Sequence, residues 1–516
     1  METVDLHFSE RPYVCALSGD CLDGNYCFSC FSPAADYRCK GCKAAYYCSK
    51  DCQTYDWKVT RQHRYECQVF ATVQQRSADD VTNNNNNSLV SKLEPLSEWQ
   101  TLKNNQLLRL TARLLARQAA DGGHRSDNDN ALQGLPPKAL PRDLWNLPKE
   151  QDIGDDEKYW TVFILFKRTY WSSSAFFSSC SEEEFFEAAK ILPSRFTVFT
   201  PLIINEETCG LNREKALGVA IYLQIALFKH SCDPHLSLHF RGSSLHVKSL
   251  KPIQATSNLA GLTYNLLPTD RLLPTKERRE LLHEAAGFWC MCSMCLDFDK
   301  DDLKQYSINS QCERCGETLI VRWQRSIEER VHENKAECVR CQLETPLSPQ
   351  LYKEIQCFWN YYHGTFSWTL QRLPSLERAV TLLNMSQHLL NSPKNVVLAK
   401  IRADLAEFVL KSKQLKREHL LAAASLLKAV ISTWYEWKVK DEYLCQLYVR
   451  LGLVYHQLSS ENDLEQTMFM FNSAKCLWSE LYDEDHWCVL QVKRLLLGLK
   501  VVKRRKFNDD NNNKEH

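Results

Sequence analysis

Apolar positions recur at helical spacing in some segments of the chain and alternate in others. Leu107 to Gln118 places Leu107, Leu108, Leu110, Leu114 and Leu115 on one face, which predicts an amphipathic helix against a core. Phe185 to Ala189 reads as helix and Arg195 to Ile204 (RFTVFTPLII) as β-rich. Leu236 to Ile253 carries two short alternating runs, Leu238–Phe240 and Leu245–Val247, split by Gly242, and predicts a β-hairpin. From Gln356 to Leu499 the pattern is helical almost throughout. Leu444, Leu447, Leu451, Val454 and Leu458 fall on one helix face, and Met468, Phe471, Ala474, Leu477 and Leu481 on the next. The pair has the length of a tetratricopeptide unit, with Gly452, Tyr455 and Ala474 at packing positions; an ordinary helical bundle is the alternative.

Two polar stretches interrupt these patterns. Gln74 to Ser91, containing Asn83 to Asn87, reads as a flexible linker or loop tip. Gly122 to Asp156, with Pro136, Pro137 and Pro141, reads as a long surface loop. The longest apolar stretch, Leu217 to Phe228, is about half of what a bilayer span needs.

A chain of 516 residues exceeds one ordinary core and predicts roughly two to four domains. A hydrophobic fraction of 44% with 25% charged residues is that of a soluble globular protein. The net charge of +1 supplies no global pull toward nucleic acid or membrane. Met1 to Glu10 carries Glu2, Asp5 and Glu10 without an apolar core, so no secretory signal is expected. That makes the 23 cysteines informative, because in a reducing cytosol or nucleus clustered cysteines bind metal more often than they form disulfides. Cytoplasm and nucleus both fit this chemistry.

Four ligand pairs lie close together near the start: Cys27 and Cys30, Cys39 and Cys42, Cys48 and Cys52, His63 and Cys67. Two or three residues between partners let both reach one tetrahedral Zn²⁺ from a tight turn. Eight ligands fill two closed sites, which argues for structure rather than metal-assisted chemistry. Cys290, Cys292 and Cys295 give three more thiols and need a fourth, for which Cys232 is the best remote candidate. Cys312 with Cys315, and Cys338 with Cys341, have the spacing of a zinc ribbon, and Gly316 suits the knuckle turn; two metal-free cysteine turns are the alternative.

Taken in order, the zinc ladder, the segment His230 to Pro234 (HSCDP) and the CxC-x2-C cluster resemble the SMYD family of SET and MYND domain proteins over nearly the whole chain. Pro12-Tyr13-Val14, Cys52-Gln53, Asp56-Trp57, Leu110 to Arg113 and Lys276 to Arg279 match as well. The divergence and the additional ribbon look most like insect-type branches. The resemblance implies an α+β chain: a β-rich SET fold interrupted by a MYND zinc finger, then a post-SET zinc cluster, an extra zinc ribbon and an all-α, tetratricopeptide-like C-terminal domain. The corresponding segments are 1–26 (a remnant of the N-terminal SET segment), 27–67 (finger), 68–286 (SET-like, with inserted loops), 287–300 (post-SET), 301–345 (ribbon), 350–502 (helical) and 503–516 (polar tail).

The resemblance also implies cross-braced ligation, with Cys27, Cys30, Cys48 and Cys52 on one ion and Cys39, Cys42, His63 and Cys67 on the other. It places Cys232 with Cys290, Cys292 and Cys295. Gln53 and Trp57 match the groove in which such fingers hold proline-containing peptides of corepressor or histone deacetylase proteins; core packing is the other reading of Trp57. Tyr264 matches a channel tyrosine, and Lys229, His230 and Phe288 match the S-adenosylmethionine pocket, where His230 is either a cofactor contact or a satisfied core histidine.

Several positions depart from the family pattern. Lys229 stands where an asparagine is expected, and its long cation is expected to crowd the cofactor. Thr256-Ser257-Asn258 replaces an acidic Gly-Glu-Glu turn, and Ala286 replaces a second channel tyrosine. The residues before Pro12 are expected to be too few for the GxG strand pair that the family places there, unless a longer N-terminus supplies it. Every zinc ligand is kept while the cofactor site is altered. The sequence therefore favours a protein-interaction and chromatin-regulatory scaffold with a degenerate methyltransferase site. The alternative is an active S-adenosylmethionine-dependent lysine methyltransferase acting on histones or other lysine-bearing proteins. Lys40, Lys43, Lys50, Lys58, Arg61 and Arg64 give the finger positive charge that Asp36, Asp51 and Asp56 dilute, so DNA binding is expected to be weak at most. Lys503 to Lys506 reads either as a nuclear signal or as part of a solvated tail.

Overall fold

The alternating run between Leu236 and Ile253 folds as the strands Leu236–Arg241 and Ser244–Ser249, paired antiparallel from Leu236↔Ser249 to Arg241↔Ser244. Leu245 and Val247 point into the core, as the period of two requires. The structure is a computed structural model. It describes residues 3–512 apart from 23, 34, 85–96, 122–156, 191–195, 200–202, 208, 213–215, 226–227, 255–260, 267–271, 287, 322–334, 366–372, 374, 413–414 and 459. The loop expected over 122–156 therefore lies outside the described residues.

The hairpin is the middle of a five-stranded sheet in the order Lys229–His230, Thr263–Tyr264, Leu236–Arg241, Ser244–Ser249, His7–Glu10. Thr263–Tyr264 runs parallel to both of its neighbours, so the segment from Lys229 to Leu236 passes along both sides of it. Ser231 N donates to Tyr264 O at 2.9 Å and His235 N to Thr263 O at 2.9 Å, locking this crossing. A second sheet pairs Val14–Leu17, Ala216–Ile221 and Phe196–Phe199 antiparallel. The amphipathic helix Gln106–Asp121 covers it, with Leu108, Leu110, Leu114 and Leu115 buried. Finger residues Cys27, Phe28 and Cys39 belong to the same buried cluster as Val14, Leu114 and Val219, so finger and sheet share one core.

The stretch expected to begin a linker at Gln74 is helical instead. One helix, Gln62–Asn84, carries His63 and Cys67 in its first turns and continues to Asn84. Val69, Phe70 and Val73 are buried on one face, and Ser77 Oγ accepts from Trp99 N at 3.0 Å, so the helix is fixed beyond Gln74 by packing and a hydrogen bond that composition does not register. The finger accordingly has no structural break at Cys67. Glu182–Ala189 forms the expected helix, started by a capping box of Ser181 and Glu184.

After Pro349 the chain is helical: Pro349–Thr365, Leu376–Ser386, Val396–Leu410, Arg417–Glu436, Glu442–Leu458, Glu461–Leu481 and Trp487–Asn512. The last helix runs through Lys503 to Lys506, so the backbone there is not an irregular tail. The ribbon strands Ser307–Gln311, Thr318–Ile320, Lys335–Cys338 and Glu344–Pro346 share a core with the first of these helices, including Trp359, Leu382 and Leu398. No helix among the described residues is long and apolar enough to cross a membrane.

Gly452 sits where Glu442–Leu458 crosses Glu461–Leu481. A Cβ there would lie 2.6 Å from Phe471 Cε1. Gly452→Ala is expected to cost about 1–3 kcal/mol through overpacking, read from denaturant midpoints. An unchanged midpoint would show that Phe471 has room to move.

Candidate metal centres and cofactor pocket

Four groups of donor atoms converge, each with its members within 4.8 Å of one another: Cys27, Cys30, Cys48 and Cys52; Cys39, Cys42, His63 and Cys67; Cys232, Cys290, Cys292 and Cys295; Cys312, Cys315, Cys338 and Cys341. The pairs predicted from spacing thus meet, and the cross-bracing inside the finger is the one the resemblance implied. In the finger, Cys30 and Cys48 sulfurs are 3.6 Å apart, Cys48 and Cys52 3.6 Å, Cys39 and Cys67 3.8 Å, and Cys42 Sγ lies 3.6 Å from His63 Nε2. A tetrahedron with Zn–S bonds of about 2.3 Å has edges of about 3.8 Å, whereas a disulfide needs about 2.05 Å. The donor sets therefore fit Zn²⁺ and not disulfide exchange. All 23 cysteines are free thiols.

Local structure sets these distances. Ser49 Oγ accepts from Cys52 N at 3.1 Å, starting the short helix Lys50–Thr54 that aims Cys52 back at Cys48. In the ribbon, Gly316 N donates to Cys312 O at 2.8 Å, and Gly316 holds φ +70, the left-handed conformation that closes the knuckle. The facing knuckles bring Cys312 and Cys341 sulfurs to 3.5 Å and Cys315 and Cys338 to 3.4 Å.

Crowded sulfurs cannot all ionise unaided. A hydrogen bond from Cys30 holds the Cys27 thiol down to about 5, while burial pushes Cys52 up to about 11. A dication at the centre offsets this mutual repulsion. The post-SET cluster adds a protein cation. Arg278 Nη2 donates to Cys295 Sγ at 3.5 Å and to Thr275 Oγ1 at 2.8 Å, and Arg279 Nε donates to Cys290 O at 2.7 Å. These contacts give the Lys276 to Arg279 segment a physical role, that of bracing the cysteine loop.

Tyr264 is buried, and burial pushes its phenol up to about 12, so it stays neutral at pH 7. His230 is its in-register partner. His230 Nδ1 accepts from Leu266 N at 3.2 Å, which puts the ring proton on Nε2, 3.5 Å from Cys232 Sγ. The imidazole thus links the chain beside Tyr264 to the thiol cluster, and its ring nitrogens are already engaged. Half-buried Phe288 lies 5.6 Å from the His230 ring and presents an aromatic face. Lys229 is exposed on the strand Lys229–His230. Ala286 ends the helix Thr275–Ala286, and Thr256-Ser257-Asn258 lies outside the described residues.

On the finger, half-buried Gln53 sits on Lys50–Thr54, and Trp57 sits on the π-helical turn Tyr55–Val59. Trp57 is 38% exposed, with its ring 5.9 Å from that of His63. Sequence reading missed the buried charge network behind the finger. Arg113 Nε donates to Glu66 Oε2 at 2.7 Å and its Nη1 to Cys15 O at 2.7 Å, with the guanidinium 4.1 Å above the Phe28 ring. The one available signal was two arginines, Arg109 and Arg113, on the apolar face of an amphipathic helix.

Residues 27–67 match the family model of the MYND finger. The chain is 23% identical over 332 residues to SET domain-containing protein 14 of Caenorhabditis elegans, covering 60% of this chain and 62% of that protein. It is 26% identical over 301 residues to N-lysine methyltransferase SMYD2-A of Xenopus laevis, covering 58% and 57%. It is 24% identical over 266 residues to histone-lysine N-methyltransferase SMYD3 of Mus musculus, covering 51% and 50%. The matched part is thus less than two thirds of each relative. Fold and clusters together make an α+β chain with a helical C-terminus, consistent with a SET-MYND fold. The finger match and these relatives support an SMYD-family protein.

Proposed function

We propose that each of the four clusters holds one Zn²⁺ and that the pocket beside the post-SET cluster is a protein-lysine methyltransferase site. One observation carries the catalytic part: Tyr264, 7% exposed, is paired in register with His230, whose ring bridges to the Cys232 cluster. The altered positions have not dispersed this constellation. Two relatives, N-lysine methyltransferase SMYD2-A and histone-lysine N-methyltransferase SMYD3, support the same reading. When bound, S-adenosylmethionine supplies an electrophilic methyl group. The chain's own residues then align a neutral lysine amine. Tyr264 offers a protonated hydroxyl from a buried strand, Phe288 offers an aromatic wall, and His230 fixes both to the metal-held loop.

Labelled-methyl transfer to histones or a protein lysate tests this. Wild type is expected to transfer label, and Tyr264→Phe to lose about a hundredfold in rate with bound zinc unchanged. Equal rates in the two proteins would sink the assignment of Tyr264.

A second reading, a scaffold that recruits corepressor or histone deacetylase partners, is favoured by the exposed Trp57 indole beside Gln53. A proline-containing peptide is then expected to bind the finger and to weaken at least tenfold in Trp57→Ala, measured by calorimetry. If wild type also binds no S-adenosylmethionine and transfers no methyl group, this reading replaces the first. If the peptide binds both proteins equally, the docking surface is not at Trp57.

A further inference from the structure

Three imidazoles gather around one carboxylate where the five-stranded sheet meets the C-terminal helices. His7 comes from the edge strand His7–Glu10, and His239 and His246 are directly opposed partners on the hairpin. Asp483 lies in the turn between Glu461–Leu481 and Trp487–Asn512. His7 Nε2 is 3.2 Å from Asp483 Oδ2, and His239 Nε2 is 3.6 Å from the same oxygen. Donor atoms of His7, His246 and Asp483 all lie within 4.8 Å of one another. Zn–N and Zn–O bonds of about 2.0–2.1 Å give tetrahedral edges of about 3.3 Å, which the two measured separations bracket.

A separate observation points to an absent ligand. His239 is 3% exposed, yet neither of its ring nitrogens has a hydrogen-bond partner. Buried imidazoles normally satisfy at least one nitrogen, because an unmet polar group in the interior is costly. Here the ring stacks on His246 at 5.1 Å and meets His486 edge-on at 4.9 Å, with Nε2 directed at Asp483.

The geometry points to a further divalent transition-metal site formed by the convergent donors of His7, His246 and Asp483, with the unpartnered imidazole of His239 beside Asp483 as the fourth ligand. Three imidazoles and a carboxylate suit Zn²⁺ and the neighbouring ions Co²⁺ and Ni²⁺, in contrast to the sulfur-rich clusters elsewhere in the chain. Arg241 approaches Asp483 Oδ2 at 3.3 Å but also pairs with Asp485, so it orients the carboxylate from outside the donor set. An ion here would staple the sheet that carries the Tyr264 strand to the last two helices. The site stands independently of whether the Tyr264 pocket is catalytic.

Co²⁺ added to full-length protein that carries zinc in its four thiol clusters alone, confirmed by elemental analysis beforehand, tests the assignment. One equivalent is expected to bind, with ligand-field absorption lacking thiolate charge-transfer bands and X-ray absorption showing only nitrogen and oxygen neighbours. Asp483→Asn and His246→Gln are each expected to weaken this binding at least tenfold while the thiolate-bound zinc stays in place. The proposal fails if no Co²⁺ binds to wild type, if sulfur appears among its neighbours, or if both variants bind it as tightly as wild type. Because the first two outcomes are read on wild-type protein, a variant that does not fold leaves the test intact.

Discussion

Replacing Arg113 with alanine is expected to lower the unfolding free energy by about 3–5 kcal/mol, the range for breaking a buried ion pair from one side. Arg113 is 1% exposed, and its partner Glu66 is fully buried. Glu66 Oε1 also accepts from Tyr170 Oη at 3.1 Å, and Asp56, 3.8 Å from Arg113 Nη2, accepts from Tyr47 Oη at 3.0 Å. One guanidinium thus ties the finger, the long helix Gln62–Asn84, the strand Val14–Leu17 and the helix Gln106–Asp121. Without it, Glu66 stays in the core without its cation. The pair itself need not stabilise relative to an apolar replacement, so Arg113→Met combined with Glu66→Gln is expected to recover much of the loss. Denaturant unfolding of the two singles and the double gives the coupling. A change under about 0.5 kcal/mol in the single variant would place the network's role elsewhere.

Metal withdrawal is expected to have the larger effect. Structural zinc contributes apparent binding energies of about 10–16 kcal/mol in small fingers at neutral pH, and that energy is folding energy. Cys27, Cys39 and Cys42 belong to the buried cluster that contains Val14 and Leu114, so a strong chelator is expected to melt the SET-like core along with the finger. Cys312 and Cys338 share a core with Trp359 and Leu398, and the first C-terminal helices are expected to loosen with the ribbon. Acid should act in the same direction. Ligation needs thiolates and neutral imidazole, so metal-derived stability is present near neutrality and is lost as pH falls and these groups protonate. Near-ultraviolet circular dichroism with a metal-indicator dye follows both processes. A melting temperature unchanged after complete metal removal would contradict the expectation.

Residues became legible in the sequence where their chemistry was local. Ligand pairs such as Cys312 and Cys315 announce themselves because one turn holds both thiols, and the Leu245–Val247 alternation fixes a strand because one face is buried. Partners distant in sequence left no such trace. Glu66 and Arg113 are 47 residues apart and meet only when two helices pack, and His7 reaches Asp483 across 476 residues. Polar composition misdirected the reading of Gln74 to Asn84, where the helix that starts at Gln62 and buries Val69, Phe70 and Val73 carries on. At Lys229 the residue type was clear but its exposure on the strand was not.

Elemental analysis of the purified full-length protein bears most directly on the claim that metal organises this fold. At least four zinc ions per chain, one for each thiol-bearing cluster, is the expected result. A chain that folds cooperatively with no bound metal would contradict it.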